Sequence, residues 1–278
     1  MIRRVVVDSS SDLACEAGGL LQCVPLKVLI GAREYVDDAE LDVSAMLSDM
    51  THSKDRTGSS CPNVYEWLQA FEGADEIFAV AISSQMSGSF ATASQAAIEY
   101  MEKYPNARVC VVDTKNASAG IRLQVEELLE LCASDLSFDE LEWQFEQFRK
   151  HVHLVFGMES VSNFVKNGRI PAVIGAAAGI LNLRFVNKAS SEGKLVQLKK
   201  VRGTARMLDA MFQQLLTDGY GGGRVMISHV DNERGAQTIK EKIHEQFPDA
   251  DVFIYPCRGL CSYYAEPGGI LVGFVDNE

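Results

Sequence analysis

The stretch IFAVAISSQMSGSFATASQAAIEYMEKYPNARVCVVDT, residues 77–114, decides the fold. Ile77 to Ile82 is an unbroken apolar run of strand length, closed by Ser83 and Ser84. A helix is expected from near Ser87, with Phe90, Ala93, Ala97 and Met101 on one face. Val109 to Val112 is a second apolar run, closed by Asp113 and Thr114. Strand, helix and strand in succession imply parallel strands joined by a right-handed crossover.

The pattern extends both ways. Val5 to Val7 ends in the polar cluster Asp8-Ser9-Ser10-Ser11-Asp12. Cys23 to Ile30 reads as one run with Pro25 near its start, turning at Gly31 into Glu34 to Val36. Pro62 opens a helix through Phe71, carried by Val64, Trp67, Leu68 and Phe71. Helical patterns follow over about 117–133 and 138–150. This first part is expected to be an open α/β domain around a parallel sheet.

The pattern then changes. Val152 to Phe156, Arg184 to Lys188 and Lys194 to Val201 read as strands, the last two around a turn at Glu192-Gly193. Ile170 to Leu183, rich in Gly and Ala, reads as a packed core helix. Thr204 is placed as the cap of a helix striped by Met207, Leu208, Met211, Phe212, Leu215 and Leu216. Val225 to Ser228, a helix from Glu233 to Phe247, Val252 to Tyr255 and Gly269 to Val275 complete it. The expectation is two α/β domains, residues 1–155 with an open parallel sheet and residues 156–278 with a mixed sheet.

Composition agrees with a globular protein: 47% hydrophobic and 23% charged residues among 278. The net charge of −12 argues against nucleic acid and anionic membrane surfaces as partners. Lys199, Lys200 and Arg202 are the only tight basic group. The apolar part of the opening residues is too short for a signal peptide, and Ile170 to Leu183 is too short to span a membrane. The seven cysteines form no CxxC pair and sit mostly in apolar surroundings, as buried reduced thiols do. A cytoplasmic location is expected.

Ligands of open α/β sheets bind beyond the carboxyl ends of the strands. Those ends carry Asp8 to Ser10, Ser83-Ser84 and Asp113-Thr114. They either line a crevice or simply end strands and cap helices. Ser59-Ser60-Cys61-Pro62-Asn63 and Ser87-Gly88-Ser89 put hydroxyls at two helix starts. Facing one cleft, they would suit a carboxylate; apart, they are ordinary caps. No phosphate loop, GxSxG elbow or GxGxxG fingerprint is present. His151 and His153 lack a nearby carboxylate pattern for a metal, and Asp37-Asp38 reads as a solvated turn.

These pieces occur in an order that resembles the DegV family of bacterial fatty-acid-binding proteins. The ordered set is the Asp-Ser-rich opening, Val24-Pro25-Leu26, Ser59 to Asn63, Ile82-Ser83-Ser84, Ser87 to Phe90 and Val112-Asp113-Thr114. It continues with Asn167-Gly168-Arg169-Ile170, Leu181-Asn182, Lys200-Val201-Arg202 and Pro267-Gly268. The resemblance implies two α/β domains with a long-chain acyl group between them and its carboxylate held by hydroxyls from two loops. Where the family reads Thr-Ser-Gln-Pro-Ser, this chain has Ser59-Ser60-Cys61-Pro62-Asn63. Where it reads Ser-Gly-Thr, this chain has Ser87-Gly88-Ser89.

One departure stands out. The family's His-x-Gly-Pro-Gly segment is here Tyr264-Ala265-Glu266-Pro267-Gly268, with Tyr264, or by a shift of one Tyr263, at the histidine position. A phenol donates a hydrogen bond but does not become a cation at neutral pH.

The resemblance therefore implies a non-catalytic lipid-binding protein. Ser59, Ser60, Ser87, Gly88, Ser89 and Tyr264 would meet the head group. Arg169 and Arg202 would stabilise phosphate or contact a fatty acid kinase that makes the acyl phosphate. Neither cofactor nor metal is implied, and a monomer is expected. Two other readings remain. One is a small-molecule phosphotransferase or hydrolase using the strand-end crevice. The other is a lipid-responsive protein without a kinase partner.

Overall fold

The computed structural model describes residues 2–14, 19–171 and 182–277, so most of the expected helix over 170–183 lies outside the described residues. The first part runs β1 (Arg3–Asp8), a 3-10 turn (Ser9–Ser11), β2 (Leu21–Val24), β3 (Lys27–Ile30), β4 (Arg33–Val36) and α1 (Val43–His52). It continues with β5 (Thr57–Ser60), α2 (Val64–Phe71), β6 (Glu76–Ala81), α3 (Ser89–Lys103), β7 (Arg108–Asp113), α4 (Ala119–Cys132) and α5 (Phe138–Arg149). The second part runs β8 (Val152–Met158), α6 (Ser162–Lys166), β9 (Leu183–Ala189), β10 (Leu195–Arg202), α7 (Thr204–Thr217) and β11 (Val225–His229). It ends with α8 (Glu233–Gln246), β12 (Val252–Pro256), α9 (Gly259–Ala265) and β13 (Ile270–Val275).

The strands β2-β1-β6-β7 form a wholly parallel sheet. Successive β1 side chains point to opposite faces. Val6 packs with Trp67, Phe71, Ala93 and Tyr100 under α2 and α3. Val5 and Val7 pack with Ile121, Val125, Leu141 and Phe145 under α4 and α5. The second sheet, β10-β9-β8-β13-β11-β12, is mixed: only β11 and β12 are parallel. Met207, Met211, Leu215, Ile239 and Ile243 of α7 and α8 cover one of its faces.

Helix α4 lies against the other face. A Cβ at Gly273 of β13 would sit 2.5 Å from the Ala119 backbone, so glycine there is what lets the helix approach. α4 thus joins the two sheets, and the space beside its start becomes a cavity.

Several sequence expectations change. The run from Cys23 to Ile30 is two strands in two sheets: β2 pairs with β1, while β3 pairs with β4 and β5 in a small antiparallel sheet. Pro25 sits at the crossing, where a residue without an N–H costs no ladder bond. Ser59 and Ser60 belong to β5, and α2 starts later, capped by Asn63 with Glu66 in a capping box. Gly203, rather than Thr204, is the N-cap of α7. Helices α1 and α9 are additions to the expected elements. Asp37 is not solvated: it is buried and accepts the Gly259 and Leu260 N–H groups at the start of α9, at 2.8 and 2.9 Å. Cys23 is disulfide-bonded rather than a reduced thiol. The carboxylate missing near the histidines comes from the far end of the chain, where Asp276 pairs with His151 at 2.8 Å and His153 at 2.6 Å.

Candidate functional site

A cavity of about 270 Å³ lies beyond the carboxyl ends of β1 and β6, between the parallel sheet and β8. Its walls are chiefly apolar. Leu154, Phe156 and Met158 come from one face of β8, Leu271 from β13, Leu260, Cys261 and Ala265 from α9. Leu26, Ile82, Met86, Ala117, Phe164 and Leu195 close the rest. Polar groups gather at one end: Ser59, Ser60, Ser87, Arg169 and Tyr264, with Cys61 and Gly88 beside them.

The hydroxyls come from distant parts of the chain. Strand β5 carries Ser59, held by pairing with Val28 of β3. Helix α9 carries Tyr264, and the two hydroxyls share a hydrogen bond of 2.8 Å. The Tyr264 ring lies 4.9 Å from the Phe164 ring of α6. Gly88 is the N-cap of α3 and has no side chain to cap it; an added Cβ would lie 3.2 Å from the Cys61 sulfur. That close approach brings the start of α3, with its positive dipole end, up to the segment leading into α2. Arg169 is exposed at the rim, donating from Nε to the Met86 carbonyl at 3.3 Å and from Nη1 to the Asn167 carbonyl at 2.6 Å.

Of the two tyrosines weighed for the histidine position, only Tyr264 reaches the cavity wall. Tyr263 is buried. Its hydroxyl donates to Thr57 Oγ1 and accepts from Asn167 Nδ2, both at 2.8 Å. Ser89 and Arg202 are not on the wall. Ser89 is buried and donates to Asp8 Oδ2 at 2.6 Å. Arg202 is exposed at the end of β10.

The strand-end polar groups bond to one another rather than to open space. Asp8 accepts from the Ser10 hydroxyl, the Ser89 hydroxyl and the Ile82 N–H at 2.9 Å. Its burial raises its carboxyl above the ordinary carboxylate range, against those bonds. Ser83 donates to the Gly193 carbonyl at 2.7 Å, which plants the β9–β10 turn over the strand ends. Ser84 bonds to Asp113 through both N–H and hydroxyl, at 3.0 and 2.6 Å. Thr114 donates to the Ala81 carbonyl at 2.8 Å.

Two buried carboxylates fix the helix that carries Tyr264. Asp37 holds the first amides of α9, as above. Asp12 accepts the Arg258 N–H at 2.7 Å and the Ser118 hydroxyl, and Ser118 shares a 2.7 Å bond with Ser228. Burial pushes the Asp12 carboxyl up to about 7, with the Asp37 charge adding to the effect. Glu266, just after α9, accepts from Ser162 Oγ and from the Asn163 N–H at 3.0 Å, tying α6 to the same corner. It does so with a left-handed φ of 55°, unusual for a residue with a side chain.

Sequence reasoning missed most of the apolar wall. The alternation of Leu154, Phe156 and Met158 is visible in the chain, but nothing in it says which face of β8 meets a cavity. Among the described residues there is no cluster of three metal-ligating side chains, and no helix is long and apolar enough to cross a membrane.

Comparison with known proteins gives consistent relatives. The model of the DegV family, described as uncharacterised proteins, matches residues 3–277. A DegV domain-containing protein of Streptococcus pneumoniae is 39% identical over 90% of this chain and 89% of its own. One of Streptococcus gordonii is 36% identical over 99% of both. The Streptococcus pneumoniae Fatty Acid Kinase (Fak) B3 protein, crystallised loaded with linoleic acid, superposes with a TM-score of 0.96 at 37% identity, covering all of both chains. A DegV family protein from Eubacterium eligens, loaded with heptadecanoic acid, gives 0.95 at 34% identity, covering 99% of this chain and all of its own.

Proposed function

This chain belongs to the DegV family, and from that premise we propose that it binds one long-chain fatty acid and presents it to a fatty acid kinase. The observation that carries the reading is the cavity itself: among the described residues its lining is chiefly apolar, with hydroxyls and an arginine gathered around Tyr264, Ser59 and the start of α3. That is the polarity of a fatty acid. Burial of the tail would supply most of the affinity, at about 0.8 kcal/mol per CH₂. In this proposal residues 1–155 and 156–278 are the two domains that hold the ligand between them.

The head-group roles belong to the proposal as well. Ser59, Ser60, Ser87 and Tyr264 hydrogen-bond the carboxylate, and Gly88 lets it approach the start of α3. Ser89 acts through Asp8, by fixing that same start. Arg169 stands at the rim, where a transferred phosphate would need a bidentate donor. Arg202 serves the kinase rather than the lipid. The chain itself supplies no catalytic group, cofactor or metal to the transfer, and acts as a cytoplasmic monomer.

Native mass spectrometry of the protein purified from cells, followed by organic extraction, tests this. A retained mass matching a long-chain fatty acid is the expected result. Lipid-free protein that also fails to bind added fatty acid overturns it.

One observation favours a second reading. Tyr264 is bonded to Ser59 and cannot take up a proton as histidine does. A protein that binds lipid without passing it on would tolerate that. Acyl phosphate formation by an added fatty acid kinase on the lipid-loaded protein decides between the two.

A further inference from the structure

We propose that Leu154 is the stop that sets the longest acyl chain this cavity accepts, an inference that rests on the lipid-binding reading. Strand β8 runs along the cavity and gives its direction. Its Met158 end leads through Glu159 into α6, whose Phe164 meets Tyr264, the partner of Ser59; this is the hydroxyl end. Leu154 is four residues back, about 13 Å away at strand rise. It is almost wholly buried.

The sheet register shows what surrounds it there. Val155 pairs with Lys188 of β9, and the next residue of β9, Ala189, pairs with Leu195. Leu195 therefore stands two strands over from Leu154, across the small Ala189 side chain of β9, and both leucines line the cavity together with Ala117.

Leu154 also lines a second cavity, of about 520 Å³, which no part of the proposed function uses. Its surroundings are of a different kind: Lys115, Asn116, Arg149 and Lys150 are on its wall. Asn116 is buried and reaches from the Thr114 carbonyl to that of Val152. Leu154 is thus the partition between an apolar space and a polar, cationic one. A methyl end that stops at Leu154 is buried throughout. One pushed past it would exchange an apolar wall for charged groups and gain nothing from the added carbons.

The test is the affinity of the full chain for saturated acids taken in two-carbon steps from decanoic to docosanoic acid. For the wild-type protein, affinity should rise about four-fold per added CH₂ and then break. Leu154→Ala should move the break to longer acids by at least one step. Leu154→Phe should move it to shorter ones, which keeps the inference testable if the alanine variant does not fold. A break at the same acid in the wild type and a folded variant overturns the role of Leu154. So does a wild-type series without a break. A wild-type protein that binds none of the acids overturns the lipid reading itself, which is a different result.

Discussion

Two groups of hydroxyls in this molecule are built from the same residue types and do opposite things. At the strand ends, Ser10, Ser83, Ser84 and Ser89 spend their hydroxyls on Asp8, Gly193 and Asp113. At the cavity, Ser59, Ser60, Ser87 and Tyr264 stand on the wall of an apolar space. In the first group every hydroxyl already has a protein partner, and around Asp8 those partners are buried, so removing the carboxyl strands them. The second has one internal bond, between Ser59 and Tyr264, and faces a volume that a ligand can fill. A serine at a strand end is informative only when its partner is known.

The sharpest way to test that contrast is at Asp8. Asp8→Ala leaves the Ser10 and Ser89 hydroxyls and the Ile82 N–H without their acceptor in the interior. We expect a loss of about 3–5 kcal/mol in urea unfolding, because stranded buried donors cost more than the bonds themselves. A loss below about 1 kcal/mol would mean those partners are not stranded.

Asp12 gives the next largest effect, read against pH. Folded Asp12 keeps its proton up to about pH 7, whereas unfolded Asp12 releases it near the ordinary 3.8. Between those values the folded chain carries the extra proton, so this group's contribution falls as pH rises through the window and is constant above it. Asp12→Asn should remove that slope from unfolding free energies measured from pH 4 to pH 8 (about the limits of the window). An unchanged slope would place the titration elsewhere.

The open group should behave differently. Ser59→Ala and Tyr264→Phe each remove the same 2.8 Å bond. Each should weaken fatty acid affinity by about 1–2 kcal/mol, roughly ten-fold, with the double variant worse than either single but by less than the sum, because the two hydroxyls are coupled through their shared bond. Equilibrium binding of one acid to all four proteins checks this. Additive losses would show that the two hydroxyls act separately. The smallest effect is expected at Arg202, exposed and off the wall. Arg202→Ala should leave lipid affinity unchanged and stability within about 0.5 kcal/mol, while slowing acyl phosphate formation by an added kinase. A change in lipid affinity would bring Arg202 into the binding site.

Much of the architecture is legible in the chain because it depends on local periodicity. Residues 77–114 announce a strand, a crossover helix and a parallel strand, and β6, α3 and β7 are those elements. The stripe from Met207 to Leu215 likewise marks α7, since a helix that covers a sheet must repeat its apolar face. Elements whose signal is not periodic were lost. β5, Thr-Gly-Ser-Ser, has no apolar alternation and exists because β3 offers it a partner. α9 is a short helix whose first amides are held by Asp37, more than two hundred residues away in sequence.

By itself, then, the sequence determined the α/β class, the parallel and mixed sheets, and the two hydroxyl-bearing segments, Ser59–Ser60 and Ser87–Ser89. Composition, apolar period and strand-ending polar residues act over a few neighbours and can be read there. The tertiary structure alone decided that Tyr264 rather than Tyr263 meets the cavity, that Asp37 is a buried anchor, and that Ser89 serves Asp8. It alone placed Leu154 between an apolar space and a cationic one. Each of these depends on which distant groups complete a hydrogen bond or close a wall, and that is set only when the two sheets are brought together around α4.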